Sequence, residues 1–436
     1  MTGLDNSTIG LIGVGALLAL VLIGVRIYIA AALVGLLGLV SLIGWQAGAG
    51  IAGTIPHSKS VSYTLSILPM FILIGFLAFH AGITRAVFDA SKKWFGWLPG
   101  GLAVASVFAT AGFAAVSGAS TATAAVFSRV AIPEMLNAGY KRHLAAGVVA
   151  AGGTLATLIP PSAILVIYAI IVEVSVGQLL LAGFIPGIVS ALVYAAIIIV
   201  WARIDPDVGR PIKGFTWRER FTSVPGTFPV IAVIVIIFSA IYLGWATPTE
   251  AGALGAFVVF VMAMAKGMKL PNLHEALLET AKLTVMIFAL IWGVLIFVRF
   301  LGFSGLPAMF TDWIVGLPYP PWVIMLFILG AYVVLGMFMD AIGMLLLTLP
   351  IVFPAVMALG YDPIWFGIIV VKMAEVCLVT PPIGLNCFVV SAVRPDIPVQ
   401  TVFRGIWPFV LADFLTVGLF LAFPGIVTWL PQQMLR

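Results

Sequence analysis

The sequence predicts an all-α polytopic membrane protein, built as an inverted repeat with two re-entrant hairpins and two proline-broken helices. Three observations carry that expectation. The 436 residues are 63% hydrophobic and only 8% charged, with mean hydropathy +1.22, whereas soluble domains carry about 25% charged residues. Several runs reach the roughly 20 apolar residues that a bilayer crossing needs. Finally, Pro160 and Pro161 sit inside an apolar stretch and return 221 residues later as Pro381 and Pro382.

Apolar runs predict full spans over 8–25, 29–48, 66–82, 178–202, 228–245, 249–265, 281–299 and 404–430. Asp5 precedes the first run and another span follows directly after Arg26, so no cleavable signal is expected and residue 1 is expected to begin the mature chain. Residues 100–135 and 321–358 are apolar blocks interrupted by a small or polar cluster, the pattern of a hairpin that enters and leaves on one side. Residues 141–172 and 363–393 are long enough to cross, yet each is broken by its proline pair. Proline removes a backbone donor where lipid supplies no replacement, so such breaks belong where protein or a cavity surrounds them.

The loop 203–222 is the largest basic loop, with Arg203, Arg210, Lys213, Arg218 and Arg220, and is therefore expected in the cytoplasm. Counting outward with both interrupted blocks as hairpins collects Arg26, Lys92, Lys93, Lys141, Arg142, Lys266, Lys269 and Arg394 on that side. Both termini then fall outside. Reading each block as a full span would reverse whatever lies beyond it.

The offset of 221 also maps Pro99 to Pro320, Pro133 to Pro354, Gly139 to Gly360 and Tyr140 to Tyr361, without a gap. These are mostly backbone-shaping residues, so the repeat preserves architecture more than side-chain chemistry. An odd number of crossings per half gives the halves opposite orientations. That is the inverted repeat of secondary transporters, whose sites lie near the midplane at discontinuous helices. The expected organisation is scaffold helices over 1–83, a hairpin and broken helix forming a transport unit over 84–172, and a last span with cytoplasmic linker over 173–227. The second half follows as scaffold 228–299, transport unit 300–395 and a final span 396–436.

The first hairpin tip, AAVSGASTATAAV over 114–126, places Ser117, Gly118, Ser120, Thr121 and Thr123 together where hydrophobic packing does not require them. It is expected to face GTLATLIPPS over 153–162, which brings Ser162. Carbonyls and hydroxyls at such unwound backbone suit a dehydrated sodium ion, and free N–H ends suit a carboxylate. Thr121 and Ser162 are candidates for the substrate path. In the second tip, GMFMDAIGML over 336–345, Asp340 stands in an otherwise apolar block. A carboxylate near the bilayer centre costs about 2.5–3.5 kcal/mol on insertion scales and marks an ion or proton path. Asp340 is thus the first choice for a cation ligand or coupled proton site, with Thr380 and Asn386 of VCLVTPPIGLN as neutral oxygen donors. Lys372 and Glu375, three apart on one face, read equally as a structural salt bridge or as part of the substrate path. Asp413 and His80 read as hydrogen-bonded helix contacts.

Enzymatic and nucleic-acid readings find no support. His57, His80, His143 and His274 are scattered, and no zinc-protease, Walker or nucleophile-elbow motif is present. Cys377 and Cys387 lie in one apolar segment and read as small packing residues. The net charge of +5 comes without an aromatic-interleaved basic patch.

The order SGASTAT, IPEMLNAGY, GGTLATLIPPSAILVIY, SVGQLLLAGFIPG, GWATPTEAGA, GMFMD and VTPPIGLN resembles the large membrane subunit of tripartite ATP-independent periplasmic (TRAP) transporters, the DctM-like family. The tip and proline break also resemble sodium-coupled elevator transporters of divalent anions. The resemblance implies an elevator-type transporter of the bacterial inner membrane, driven by two or more sodium ions. It further implies two partners, a small four-span (DctQ-like) membrane subunit and a soluble periplasmic binding protein that delivers an anionic, usually carboxylate-bearing substrate. Carried over by motif, Ser117, Gly118 and Ser120 serve one sodium site with backbone from Gly153 through Thr157 to Pro160. Asp340 and Gly343 serve another with Thr380, Pro381 and Pro382, and Ser175 lies nearer the substrate or the outer surface. Members often carry SGSS, so Ala119 removes one possible hydroxyl here. A stand-alone sodium- or proton-coupled symporter without a binding protein and a non-transporting scaffold subunit remain as alternatives.

Overall fold

The computed structural model describes residues 5–212, 214–337 and 339–434. Lys213 of the basic loop and Phe338 of the second tip lie outside the described residues. Every element among the described residues is helical. The first half runs α1 (Asn6–Leu22), α2 (Ile27–Ile43), α3 (Trp45–Ser60), α4 (Ile67–His80), α5 (Ile83–Phe95), α6 (Gly101–Ser117), α7 (Ser120–Asn137), α8 (Arg142–Thr154), α9 (Ala163–Val172) and α10 (Val176–Ile204). After a short connecting helix α11 (Trp217–Ser223), the second half runs α12 (Phe228–Tyr242), α13 (Pro248–Ala265), α14 (Leu270–Ser304), α15 (Leu306–Val315), α16 (Pro321–Gly336), α17 (Ala341–Ala358), α18 (Pro363–Val379), α19 (Leu385–Val393), α20 (Val399–Ala422) and α21 (Gly425–Met434).

The repeat extends to helix boundaries. α2 and α13 begin at 27 and 248, α7 and α17 at 120 and 341, and α8 and α18 at 142 and 363, each pair separated by the sequence offset. Both interrupted blocks are helical hairpins, α6 with α7 and α16 with α17, and both proline pairs separate two helices, α8 from α9 and α18 from α19.

Hydropathy alone misplaced several ends. The expected span over 29–48 stops at Ile43, where Gly44 takes φ +84° and a separate helix α3 begins. The expected span over 281–299 is the centre of the 35-residue α14. Its first turns carry His274, Glu275, Glu279 and Lys282, polar residues that continue a helix without raising its hydropathy. The span over 404–430 breaks at Phe423 into α20 and α21. Helix α5, with Arg85, Lys92 and Lys93 among apolar positions, is amphipathic and too short to cross.

Small residues set the closest contacts, as expected where lipid removes the hydrophobic drive between helices. A Cβ on Gly35 of α2 would lie 2.6 Å from the Phe297 backbone nitrogen of α14, and one on Gly293 of α14 would lie 2.2 Å from the Tyr28 carbonyl. Helices α2, α4, α13 and α14 pack on one another in this way, while α7, α8, α19 and α20 form a second body of contacts. Outward faces carry exposed apolar side chains such as Leu11, Leu37, Val235, Phe257, Val285 and Phe327, the surface that a bilayer covers. Cys377 and Cys387 are free and buried.

Candidate functional site

At the first tip α6 ends on Ser117, Gly118 takes φ +59°, Ala119 is extended, and α7 starts at Ser120. The turn cannot carry a side chain at its apex. A Cβ on Gly118 would lie 2.5 Å from the Pro161 carbonyl, so glycine is what lets the tip dock on the first break. Ser117 Oγ and Thr123 Oγ1 share a hydrogen bond of 2.7 Å, and the Thr123 hydroxyl also lies 2.9 Å from the Ala119 carbonyl. Ala119 leaves α7 without a side-chain cap, so its first N–H groups stay free.

In the first break α8 tightens into a 3₁₀ turn over Leu155–Thr157, the Pro160–Pro161 bond is cis, and α9 restarts after Ser162. Ser162 Oγ accepts from Leu165 N and donates to the Thr157 carbonyl, tying the two half-helices together. Gly153 brings α8 against α7, since a Cβ there would lie 2.9 Å from Ala124 Cβ and 3.0 Å from the Ser120 carbonyl. Residues 151 to 162 are all buried.

The second tip is built differently. Asp340 is the N-cap of α17, its Oδ2 accepting from Gly343 N at 3.0 Å, so the carboxylate sits on the positive end of that helix. In the second break the Pro381–Pro382 bond is also cis, Thr380 Oγ1 donates back to the Val376 carbonyl at 2.6 Å, and Pro382 and Ile383 are exposed. The two breaks therefore differ in burial, the first enclosed throughout and the second leaving Pro382 and Ile383 at the surface.

The sequence pattern grouped Asn386 with Asp340, and the fold hands it to the other tip. α19 packs against α7 and α8, so the buried Asn386 Nδ2 donates to Ser120 Oγ at 2.8 Å and to the Ala150 carbonyl at 3.1 Å. A carbonyl only accepts, which assigns the amide orientation. Asn386 Oδ1 is then left buried and unpartnered among the described residues, an acceptor beside Ser120 with nothing to accept from.

Between the tips lies a cavity of about 570 Å³, lined by Gly118 to Thr121, by Asp340 to Ile342, by Ala163 and Ile164 at the start of α9, and by Leu385 at the start of α19. Arg26 and Tyr28 also line it, as do Leu283, Met286, Ile287 and Leu290 of α14. The Arg26 guanidinium donates to the Tyr28 hydroxyl at 3.2 Å. Arg26 read from sequence only as a cytoplasmic-side charge between two apolar runs, and no local pattern marked it as facing the tips.

Other sequence candidates lie elsewhere. Ser175 is the exposed N-cap of α10, its Oγ accepting from Gln178 N, in a separate hollow with Tyr63 and Thr247. Lys372 and Glu375 do not reach the cavity. They are wholly buried, with Lys372 Nζ 2.5 Å from Glu375 Oε2 and 2.7 Å from Asp413 Oδ1, and neither lines that cavity. His80 Nε2 lies 3.0 Å from Glu279 Oε2 across a helix contact, in a cavity of about 390 Å³ behind the first tip that Arg129 also lines.

Two cross-packed hairpin tips, two proline breaks and a cavity between them coincide with a family match over residues 14–426 to "Tripartite ATP-independent periplasmic transporter, DctM component". The chain belongs to the DctM family. The C4-dicarboxylate TRAP transporter large permease protein DctM of Pseudomonas aeruginosa is 37% identical over 374 residues, covering 85% of each chain. The sialic acid TRAP transporter large permease protein SiaM of Vibrio cholerae is 32% identical, over 86% of this chain and 87% of that one. This DctM chain also shares its fold with the crystal structure of the Alcanivorax borkumensis YdaH transporter, at TM-score 0.57 and 13% identity, covering 88% of this chain and 90% of that one. As a DctM component it is a membrane-embedded transporter permease and not an enzyme.

Proposed function

We propose that this chain is the permease subunit of a sodium-coupled transporter that takes up an organic anion by an elevator movement. The cavity between the tips carries the reading. Its volume of about 570 Å³ falls in the range of small-ligand sites, Arg26 supplies a cation, and the uncapped start of α7 supplies free N–H groups. A carboxylate satisfies both. The names of the P. aeruginosa and V. cholerae relatives, a C4-dicarboxylate and a sialic acid permease, point to the same substrate class.

Sodium fits the first tip, where Ser120 Oγ and the orphaned Asn386 Oδ1 are neutral oxygen donors next to the Gly153–Pro160 backbone. At the second tip Asp340, Gly343 and the Thr380–Pro382 backbone form the corresponding candidate set. Bound sodium would order each tip on its break and so shape the anion site. The hairpins and broken helices, residues 84–172 and 300–395, then slide as a unit against the scaffold of 1–83 and 228–299.

The family suggests a small four-span membrane subunit and a periplasmic binding protein as partners. The basic-loop distribution supports insertion in the bacterial inner membrane with both termini periplasmic. Arg26 then faces the cytoplasm and the cavity opens inward. The deciding experiment is uptake of labelled carboxylic and sugar acids into proteoliposomes holding this chain and its small subunit, with sodium outside or on both sides and with binding protein added or omitted. Uptake that needs the sodium gradient and the binding protein supports the proposal. Uptake without binding protein would assign a stand-alone symporter, and no uptake under any sodium condition would remove the transport reading.

A further inference from the structure

The loop after α10 fills a hollow that has an open counterpart in the second half. In the first half the non-helical segment 205–212 lies over Tyr140 and is held through its backbone. Lys141 N donates to the Val208 carbonyl at 3.2 Å, Gly100 N to the Gly209 carbonyl at 3.2 Å, and Ile212 N to the Gly96 carbonyl at 2.8 Å. The Tyr140 hydroxyl accepts from Leu102 N and donates to the Arg210 carbonyl. Val208 and Gly209 are buried, and a Cβ on Gly209 would lie 2.4 Å from the Tyr140 ring, so that position takes glycine. At the edge Lys141 Nζ pairs with Asp205 Oδ2 at 2.6 Å.

The offset of 221 carries Tyr140 to Tyr361, Lys141 to Asp362 and Gly101 to Trp322. The counterpart of the covering segment, 426–433, does not return over Tyr361. It lies within helix α21, which packs on α10 and buries Val427 and Pro431. What remains is a hollow of about 510 Å³ whose lining includes Trp322, Met325, Tyr361, Asp362, Trp365 and Leu421. The Tyr361 ring stacks on Trp365 with centroids 5.1 Å apart. Among the described residues the Asp362 N–H has no backbone acceptor, whereas the equivalent Lys141 N–H is bonded to the covering segment. The edge charge is also reversed, from lysine to aspartate.

We propose that this hollow docks a peptide segment of a partner protein, seated as 205–212 is seated on the first half, with a basic residue opposite Asp362, an apolar residue three positions on and glycine after it. Charge complementarity sets the first position, because Asp362 stands where Lys141 meets Asp205. Its Oδ1 caps α18 at Trp365 N, which leaves Oδ2 for the partner's cation. The seat of Val208 and Gly209 on Tyr140 sets the other two. Trp322, at 63% exposure, adds an aromatic side chain of the kind enriched at protein interfaces. A lipid acyl chain would cover the rings and leave the Asp362 N–H and carboxylate unanswered. The inverted topology puts the hollow on the face opposite the basic loop, and the docking itself rests on neither that orientation nor transport.

Titration calorimetry on the full chain in lipid nanodiscs tests the docking without any uptake. Two synthetic peptides serve as probes, one copying residues 204–212 unchanged and one copying them with Asp205→Lys. The lysine peptide is expected to bind the wild-type chain about two- to fivefold more tightly than the unchanged one, the range of an exposed ion pair. Asp362→Asn keeps a capping side chain on α18 and should erase that preference, while Asp362→Lys should reverse it. Tyr361→Phe should weaken both peptides by about fivefold, the worth of one hydrogen bond, and Gly209→Val within the lysine peptide should abolish its binding. No binding of the lysine peptide to the wild type, or a preference that survives Asp362→Asn, would overturn the proposal. Labelling of Trp322 and Tyr361 by a photoreactive phospholipid that the lysine peptide does not displace would give the hollow to lipid and overturn it as well.

Discussion

Asn386 donates to Ser120 across 266 residues of sequence, joining the break of the second repeat to the hairpin tip of the first. The interlock follows from the inverted repeat, in which each tip packs on the post-break helix of the other half: α7 on α19 and α17 on α9. A movement of one half's break is therefore felt at the other half's tip. A buried neutral hydrogen bond contributes about 1 kcal/mol, and leaving its partner unsatisfied costs about 1–3 kcal/mol. Asn386→Ala should accordingly raise the sodium concentration for half-maximal uptake by about fivefold or more, and Ser120→Ala combined with it should add little. Full additivity in that cycle would separate the two residues functionally.

Asp340 caps α17, and its proposed part in sodium binding can be tested separately from the cap. Asn caps a helix as well as Asp does, so Asp340→Asn should keep α17 intact and the thermal midpoint within a few degrees while weakening uptake and its sodium dependence. Asp340→Ala should lose the cap as well, about 1 kcal/mol by the usual cost. Sodium dependence unchanged in the Asn variant would remove the carboxylate from the site.

Gly118→Ala tests the docking of the tip. The substitution meets both φ +59° and a 2.5 Å approach to the Pro161 carbonyl, so backbone must shift. The expected outcome is loss of most uptake with the chain still folded in size-exclusion chromatography; wild-type rates would show that the tip tolerates displacement.

Arg26→Gln removes the cavity's cation. Substrate concentration dependence should shift upward by about tenfold, the worth of one charged hydrogen bond, with the sodium requirement little changed. A normal substrate dependence would place the anion elsewhere.

Lys141 holds the loop after α10 through a 2.6 Å bond to Asp205, and that bond keeps the Asp205 carboxyl below its usual range. A depressed carboxyl contributes stability that is present above its ordinary titration range and lost as pH falls through the lowered one. Thermal midpoints measured toward acid pH should therefore decline less steeply in Asp205→Asn than in the wild type, by a small margin because the pair is exposed. Equal slopes would show that the loop is held by its backbone bonds alone, such as Lys141 N to the Val208 carbonyl.

Class, repeat and the location of both tips and breaks were legible in the chain, because they rest on local chemistry. Apolar length, paired prolines and a hydroxyl cluster act on their own segment, and the offset of 221 carried through to helix starts such as 120 and 341. Helix ends were less legible, since the polar first turns of α14 continue a helix that hydropathy does not see. Partnerships across the repeat were decided only by packing. Lys372 and Glu375 announced themselves three apart, but Asp413, Tyr194 and Thr157 reach them from α20, α10 and the first break. Asn386 lies near Thr380 in sequence and against Ser120 in space, because α19 turns away from α18 at Gly384, where φ is +44°. Arg26 joined the cavity for the same reason. A one-dimensional pattern states which residues are costly to bury, and three-dimensional contact states which neighbour makes the burial tolerable.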